Sequence, residues 1–377
     1  MALSPGNVAY FQAIDEATFM VCLDEGRPET NEEHVRQAYL GDGFNRWMDK
    51  CTQFTIAENG KSGFIMEHGA IDGITASRAC DFIHDAIHSH VPESTRPVNT
   101  NGAQEPVPLV QLEELPFTSS PALDAHMLTL RAQYIKSAAS IGFKNHRITA
   151  FGTDHLMACS VPVKTALDAT VQLAIRLHFG YNTPCWEGVS MAHYHKGRPE
   201  IMQVATRDVV QFCDLALDEA VPLREKHAAL FKLGRSMSGN MQSTLTGQTH
   251  LRLLDLLKVC WPEGAPTAKL FTGDLFWRNP FVMAHHAPSG NRVNDSVYGV
   301  QEPDSMWSMI TPGHDRYVLS VPVFIVLRLG LLSRRNSIRV AVAGAAGEKT
   351  EAFAARLDDA AEIIKKIADY GLTKATK

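Results

Sequence analysis

Residues 54–67 contain two short runs of alternating apolar and polar side chains, separated by Asn59 and Gly60. An Asn-Gly pair suits the positive φ values of a type I′ turn, so this stretch predicts a β-hairpin. The second predicted strand runs into a Glu-His-Gly turn, which places His68 directly after the end of a strand. This part of the chain is therefore expected to belong to a layer that contains a β-sheet.

Helical patterns lie on both sides of the hairpin. The first forty-odd residues are predicted to be helical, with Thr30 or Asn31 as the N-cap of a helix whose first turn is acidic. Further along, the patterns are helix-like at 163–175 and at 353–367 before Gly371, and strand-like at 297–300 and 338–342. Helices and strands mixed in this order predict α/β layers.

The composition is that of a packed globular protein. The 377 residues are 45% hydrophobic and 20% charged, and at roughly 150 residues per domain they predict two domains or one large α/β unit. The 36 Lys and Arg against 41 Asp and Glu give a net charge of −5. No basic surface for nucleic acid or anionic lipid is therefore expected.

Cysteine usage and apolar runs bear on the cellular location. Seven cysteines are spread singly with no Cys-x-x-Cys pair, so reduced thiols and no metal site are expected. The first residues lack the basic and apolar regions of a secretory signal, which predicts a cytoplasmic protein. The apolar run at 317–332 is shorter than the ~20 residues of a membrane span and carries Arg328. We interpret it as a buried strand pair or an insertion, with no membrane partner.

Residues 91–122 are the best candidate for a linker. Six prolines occur there among Ser, Thr, Asn and Gly, and no sustained periodicity is present. Such stretches are typical of connections between domains. The expected organisation is a first domain at 1–115, which includes the linker, and a second α/β domain at 116–377.

Some short motifs suggest other chemistry without meeting its requirements. The Gly-Lys-Ser at 60–62 would need a glycine in place of Thr55 to form a phosphate-binding loop. His84 and His88 have the spacing of helical zinc ligands, but no glutamate follows the first of them, so solvated histidines are favoured. A zinc hydrolase built from spare histidines is the less favoured alternative. The other paired histidines are interpreted in the same way: His193 with His195, and His285 with His286.

His68 is the strongest catalytic candidate. It leaves a strand into a glycine-flanked turn, and a carboxylate follows four residues later at Asp72. A strand end is rigid, and the turn exposes the imidazole, which at its ordinary pKa near ~6.5 can accept a proton at pH 7. The pattern alone leaves both a general base and a structural histidine open.

Residues 21–73 resemble the carnitine/choline O-acyltransferase family. The resemblance rests on an Asn-Arg-Trp-Met-Asp-Lys stretch at 45–50, on Gln53 and on the Glu-His-Gly-Ala-Ile-Asp-Gly turn at 67–73. Thinner similarity continues through later blocks at 171–177, 185–206, 247–251 and 354–367.

The resemblance implies an α/β fold of the CoA-dependent, chloramphenicol-acetyltransferase-like kind, with mixed sheets flanked by helices. In that family two such domains hold the active site between them. Members carry a long N-terminal portion ahead of the region matched here, so the first domain is expected to be incomplete.

The resemblance also implies three catalytic residues. His68 matches the general base, which takes the proton from an alcohol or, in reverse, from the CoA thiol. Asp72 matches the acidic residue after the family's histidine, and Arg198 matches the arginine that pairs with it. Such a pair would fix the orientation of the imidazole.

The positions that bind substrate in the family are altered. The tyrosine, threonine and arginine of the carnitine-carboxylate site align with Trp186, Pro199 and Thr249. Without the arginine there is no bidentate contact to a carboxylate, so carnitine is not expected as the acceptor. The place of the family's Ser-Thr-Ser motif is taken either by residues 284–286 or by residues 289–291, which makes Ser289 a candidate contact to the substrate.

The family's CoA-binding lysines align with Thr153 and Met157. The 3′-phosphate of CoA would therefore lack its cationic partners. A phosphopantetheine arm on a carrier protein has no such phosphate. The chain is thus closest in character to the carnitine-acyltransferase-like releasing domain of fungal highly reducing polyketide synthases, which function in polyketide biosynthesis and secondary metabolism.

The sequence accordingly predicts an O-acyltransferase that passes an acyl group from a pantetheine thioester to an alcohol other than carnitine. Acyl-CoA or acyl-phosphopantetheine is the expected co-substrate, and no tightly bound cofactor is expected. The expected partners are the thioester, a small alcohol and an acyl carrier protein. The alternative is a truncated, catalytically inactive remnant or interaction module.

Overall fold

The fold is described for most of the chain in a computed structural model. The described residues are 4–66, 112–139, 141–249, 281–286, 325–333, 335–345 and 348–372, with shorter pieces between 72 and 83 and between 253 and 269. They divide into two compact units, which we call unit 1 (up to Ala138) and unit 2 (from Ala139). No helix within these ranges has the length and apolar character needed to cross a membrane.

Unit 1 contains a small mixed sheet with helices before and after its strands. Its elements are α1 (Pro5–Glu16), β1 (Met20–Asp24), α2 (Asn31–Leu40), β2 (Thr52–Ala57), β3 (Ser62–Met66) and α3 (Pro121–Ala139). The strand order is β1-β2-β3, where β1 pairs parallel to β2 and β2 pairs antiparallel to β3.

Helix α2 begins as the sequence predicts. The Thr30 side chain accepts a hydrogen bond from the backbone N–H of Glu33 at 3.1 Å, and the Glu33 carboxylate accepts one from the Thr30 N–H at 2.9 Å. This reciprocal capping box satisfies two backbone donors that the first turn leaves open. Glu32 and Glu33 also lie where the helix dipole favours negative charge.

The prediction that the first forty-odd residues are helical is wrong for β1. Residues Met20–Asp24 form a strand with Cys22 buried, and Val21 lies opposite Phe54 of β2. A short apolar run fits either a helix or a strand, and here pairing with β2 decides the outcome.

The hairpin of β2 and β3 is confirmed, but its turn is not of type I′. Gly60 has φ +80°, whereas Asn59 is not among the residues with positive φ. The N–H of Gly60 donates to the Ala57 carbonyl, and the N–H of Ala57 donates to the Lys61 carbonyl, each at 2.9 Å. This is a three-residue connection in which the glycine alone takes the left-handed conformation. The same hairpin shows that the Gly-Lys-Ser at 60–62 is no phosphate-binding loop.

His34 is expected to make unit 1 sensitive to acid. Its side chain is buried on α2, and burial, together with the charge of Lys61, lowers the pKa of the imidazole. The unfolded chain takes up a proton near pH ~6.5, which the folded chain resists, so the free energy of unfolding should fall as the pH drops below that value.

Replacing His34 with glutamine should flatten this pH dependence between about pH 7 and 5.5. The measurement is urea denaturation at a series of pH values. The exposed His126 of the same unit supplies the matched control, His126→Gln. An equal flattening in both variants would contradict the assignment to His34.

Unit 2 is built on a six-stranded mixed sheet. Its helices are α4 (Thr153–Ala158), α5 (Val163–Phe179), α6 (Arg207–Leu217), α7 (Leu223–Leu245) and α8 (Glu348–Asp369). Its strands are β4 (Ile141–Ile148), β5 (Cys185–Val189), β6 (Glu200–Gln203), β7 (Phe281–His286), β8 (Ile325–Ser333) and β9 (Ile338–Ala345). Their order is β4-β9-β8-β7-β5-β6, with β8-β7 and β7-β5 parallel and the other pairs antiparallel.

The apolar run at 317–332 contributes an internal strand. Its C-terminal half forms β8 except for the last residue, Ser333, and β8 lies between β7 and β9 in the sheet. The run was predicted to be a buried strand pair or an insertion; its residues from Ile325 form a single strand, in which Leu331 is buried, and the strand-like run at 338–342 is confirmed as β9. The run predicted at 297–300 lies outside the described residues.

The core of unit 2 lies around α5 and α8. The predicted apolar face of α8 is confirmed, because Phe353, Leu357, Ile364 and Ile367 are all buried, and the helix ends two residues before Gly371. Helix α5 differs from the prediction of one apolar face. All residues from Thr165 to Ile175 are buried, including the polar Thr165, Asp168, Thr170 and Gln172. A helix buried on every face is typical of the interior of a larger unit.

Candidate active site

The structure describes the strand that leads to His68 but not the histidine itself. Strand β3 ends at Met66, so His68 follows two residues after the end of an antiparallel strand. The turn from Glu67 to Ala70 lies outside the described residues, and so do His84 and His88. Asp72 is described and half-buried. The catalytic role of His68 therefore stays a prediction.

The Asn-Arg-Trp stretch before β2 forms a buried ion pair. Both terminal nitrogens of Arg46 contact the carboxylate of Asp24 at 2.7 Å, and the two side chains are only 1% and 8% exposed. The guanidinium also donates to the carbonyls of Gln37 and Ala38. Asn45 donates to Asp24 Oδ1 at 2.8 Å. Arg46 thus connects the end of β1 to the end of α2.

Gln53 holds the start of β2. Its buried side chain accepts a hydrogen bond from the Trp47 N–H at 2.9 Å and donates to the Trp47 carbonyl at 2.8 Å. The Cys22 thiol also donates to Gln53 Oε1, at 3.6 Å. The Asn-Arg-Trp stretch and Gln53, which carry part of the family resemblance, therefore have a structural role in unit 1. They fix β2, and through the ladder of β2 with β3 they fix the strand that ends beside His68.

Arg198 follows a tight turn in unit 2. Lys196 has φ 53°, and a Cβ on Gly197 would lie 2.1 Å from the Met191 carbonyl oxygen. The N–H of Tyr194 donates to the Met191 carbonyl, and the N–H of Gly197 donates to the Tyr194 carbonyl. Backbone held in this way presents Arg198 at a defined place just before β6. Its pairing with Asp72 stays a prediction.

The positions predicted to contact substrate lie in unit 2. Trp186 is on β5, opposite Gln203 of β6, and is half-buried. Pro199 directly precedes β6, and Thr249 lies four residues after the end of α7. Their roles as substrate contacts stay predictions, and Ser289 lies outside the described residues.

The loop histidines have surface roles where they are described. His193 and His195 are both exposed. The Nε2 of His193 lies 2.9 Å from the carbonyl oxygen of Leu245. This contact joins the loop after β5 to the end of α7 and gives no support to a zinc hydrolase at that place.

The two positions that align with the family's CoA lysines lie on α4. Thr153 begins the helix, and Met157 is 62% exposed. A cation from elsewhere lies close to this helix, because Arg335 Nε is 3.0 Å from the Asp154 carboxylate. The Arg335 side chain is largely exposed and already paired with that carboxylate.

A charged cluster that the sequence did not predict lies between α5 and β5. Lys164 Nζ contacts both carboxylate oxygens of Asp168 at 2.8 Å and one of Glu187 at 2.7 Å, and both carboxylates are buried. Burial opposes the charge of the ammonium, but the two carboxylates raise the pKa of Lys164. Burial also raises the pKa of the neighbouring Cys185 thiol far above its ordinary range, so this thiol is no nucleophile. Only the Lys-Asp spacing of four residues hinted at this cluster.

Replacing Lys164 with methionine is expected to destabilise unit 2 by about 2–4 kcal/mol, because two buried carboxylates lose their cation. The deficit should shrink at acidic pH, where the carboxylates can be protonated. Lys144→Met removes a partly exposed pair with Glu351 and serves as the control, with an expected loss below about 1 kcal/mol. Equal losses in the two variants, measured by guanidinium denaturation, would contradict this account.

Mixed sheets flanked by helices define an α/β protein in both units. The family model for choline/carnitine O-acyltransferase matches residues 1–307. The chain therefore belongs to the choline/carnitine O-acyltransferase family, and the α/β acyltransferase fold predicted from the sequence is confirmed.

Curated relatives include fungal synthases and carnitine enzymes. The highly reducing polyketide synthase ltbA of Aspergillus luteorubrus is 35% identical over 98% of this chain and 11% of its own length. The human peroxisomal carnitine O-octanoyltransferase is 26% identical over 73% of this chain and 45% of the relative. The mitochondrial carnitine O-acetyltransferase of Saccharomyces cerevisiae is 26% identical over 63% of this chain and 35% of its own length. The chain thus spans about a tenth of the synthase and less than half of either carnitine enzyme.

Two of the solved structures that match this chain are an acyltransferase and one domain of a synthetase. The wax ester synthase/diacylglycerol acyltransferase from Marinobacter aquaeolei VT8 is 14% identical, with a TM-score of 0.45 over 94% of this chain and 80% of that one. The epimerization domain from the third module of tyrocidine synthetase B is 13% identical, with a TM-score of 0.40 over 94% of this chain and 81% of that one.

Proposed function

We propose that this protein is an O-acyltransferase that passes an acyl group from a pantetheine thioester to an alcohol other than carnitine, with His68 as the general base. The observation that carries the proposal is the family match, which includes the strand end and turn of His68. The 35% identity to a highly reducing polyketide synthase over 98% of the chain supports a role in polyketide biosynthesis.

The proposed reaction is a direct transfer. His68 removes the proton from the hydroxyl as the oxygen attacks the thioester carbonyl carbon, which forms the ester bond. The carbon–sulfur bond then breaks, and the imidazolium returns the proton to the leaving thiolate. The products are an ester and a free pantetheine thiol. Asp72 and Arg198 would act together to hold the turn that orients the imidazole.

The proposed acceptor is a neutral alcohol such as a polyol. Trp186, Pro199 and Thr249 occupy the positions of the carnitine-carboxylate site, and none of them carries a positive charge. A neutral side chain cannot reproduce the bidentate contact of a guanidinium with a carboxylate. A polyol has no carboxylate and needs no such contact.

The proposed donor is an acyl group on the phosphopantetheine arm of a carrier protein. Thr153 and Met157 stand in for the family's lysines, and Arg335 is already engaged by Asp154. An arm that ends at the carrier protein presents no 3′-phosphate for cations to bind.

The test is ester formation with paired donors and acceptors. The protein is incubated with acyl-pantetheine or the matching acyl-CoA, together with polyols or carnitine, and the ester is measured by mass spectrometry. We expect esters of neutral polyols and little or none of carnitine. A clear preference for carnitine would contradict the proposed acceptor. No ester from any pair, in protein that unfolds cooperatively, would favour the inactive remnant.

Arg335→Ala tests the donor. Because this side chain is largely exposed and paired with Asp154, its loss is expected to change KM for acyl-CoA by less than about threefold. A charge-assisted contact to a 3′-phosphate would instead raise KM by about tenfold or more. Such a rise, with KM for acyl-pantetheine unchanged, would contradict the carrier-bound donor and indicate CoA.

The alternative, a catalytically inactive remnant or interaction module, rests on the missing Ser-Thr-Ser motif. Residues at 284–286 or 289–291 replace the family's Ser-Thr-Ser motif, and loss of one donor to an oxyanion typically costs about 10²–10³ in rate. The same ester assay separates the two functions.

A further inference from the structure

Three side chains of different kinds converge at one corner of unit 2. His155 lies on α4, Cys159 follows the end of that helix, and Asp369 is the last residue of α8. The His155 Nε2 atom is 2.9 Å from Asp369 Oδ1 and 3.7 Å from Cys159 Sγ. The Cys159 Sγ atom is 3.9 Å from Asp369 Oδ1.

These three atoms form a triangle of the size that a zinc ion requires. Zinc bonds of about 2.0–2.1 Å to nitrogen and oxygen and about 2.3 Å to sulfur separate tetrahedral ligands by about 3.3–3.6 Å, so shifts of about half an ångström would seat the ion. A histidine, a thiolate and a carboxylate are also the ligand types that zinc prefers.

The arrangement does not fit a nucleophilic triad. In such a triad the carboxylate and the nucleophile contact opposite nitrogens of the imidazole, so that one orients the ring and the other gives up its proton. Here Asp369 and Cys159 both face Nε2 of His155.

We propose that His155, Cys159 and Asp369 bind a zinc ion, with water as the fourth ligand. The ion would take the place of the direct contact between His155 and Asp369, and the thiol would release its proton on binding. Lys365 holds the other carboxylate oxygen of Asp369 at 2.8 Å and so orients the ligand. His155 and Asp369 are partly exposed, which leaves a path for the ion to enter.

The ion would join α4 to the C-terminal end of α8. These segments are far apart in the sequence. Among the described side chains, Asp369 contacts both His155 and Cys159 and so connects the two segments without a metal. Metal binding at this point should therefore stabilise unit 2 and raise its melting temperature.

The test measures metal binding by the full chain after treatment with a chelator and gel filtration. Zinc titration should give one site per chain, and cobalt in its place should give the near-ultraviolet charge-transfer band of a thiolate ligand. Cys159→Ser and Asp369→Asn should each weaken zinc binding by more than about 100-fold, and Lys365→Met by about tenfold. Cys260→Ser, at an exposed cysteine outside the cluster, is the matched control and should bind as the parent does.

The contrary results are equally specific. A cobalt complex without the thiolate band would overturn the proposal, as would zinc affinity unchanged in both Cys159→Ser and Asp369→Asn. Since His155 is partly exposed, His155→Gln should fold even if Cys159→Ser does not. Unchanged zinc binding in His155→Gln would also overturn the proposal. None of these measurements depends on acyl transfer.

Discussion

The His68→Ala variant is expected to lose about 10²–10⁴ in the turnover of acyl-pantetheine with a polyol, because a positioned general base contributes that much to a proton transfer. Without the imidazole the hydroxyl keeps its proton as it approaches the thioester. The loss should be in kcat more than in KM, since a small alcohol gains little binding from the imidazole. The measurement is the rate of thiol release together with ester formation.

His126→Ala is the control for this prediction. His126 is exposed on α3 in the same unit, and its variant should turn over as fast as the parent. Urea denaturation of both variants checks that each is folded under the conditions of the assay. Equal turnover in His68→Ala and the parent protein would mean that His68 is not the base.

The Arg46→Met variant is expected to lose about 3–5 kcal/mol of the stability of unit 1, because it leaves the Asp24 carboxylate buried without its cation. The carbonyls of Gln37 and Ala38 on α2 also lose a hydrogen bond from the guanidinium. The free energy of unfolding is measured by urea denaturation.

Arg131→Met is the matched control. Its partner Asp42 is about half exposed, and Arg131 itself is about one-third exposed, so the loss should stay below about 1 kcal/mol. A loss for Arg46→Met no larger than that of the control would show that the buried pair contributes little. Activity measured below the unfolding transition separates a loss of folded protein from a loss of catalysis.

Local signals in the sequence predicted those elements whose ends are set by nearby residues. The start of α2 was predicted with Thr30 or Asn31 as its N-cap, and the capping box that Thr30 forms with Glu33 three positions later decides for Thr30. The last helix was equally clear, because its apolar residues all face one core. Strand β1 was missed because an apolar run becomes a strand only when a partner strand is available, and β2 begins about thirty residues later.

The site was less predictable because its contacts join distant parts of the chain. The family resemblance identified the Asn-Arg-Trp stretch and Gln53, but their pattern did not indicate that they hold β1, α2 and β2 together. The partners of Lys164 come from two elements, and only Asp168 lies within one helical turn of it. Cys159 and Asp369 are 210 positions apart, so no local spacing could have brought them together.

The burial of Thr165–Ile175 on α5 has a consequence for which parts of this protein can change. An interior packed at the density of a crystal transmits any change of volume to its neighbours, so substitutions along Thr165–Ile175 should be tolerated poorly whatever the substrate. The surface loop at 191–199 is bounded by backbone hydrogen bonds and carries mostly exposed side chains. If the proposed function holds, variants selected for a different acceptor alcohol are expected to accumulate changes in this loop outside Gly197 and Arg198, while residues Thr165–Ile175 keep their sequence.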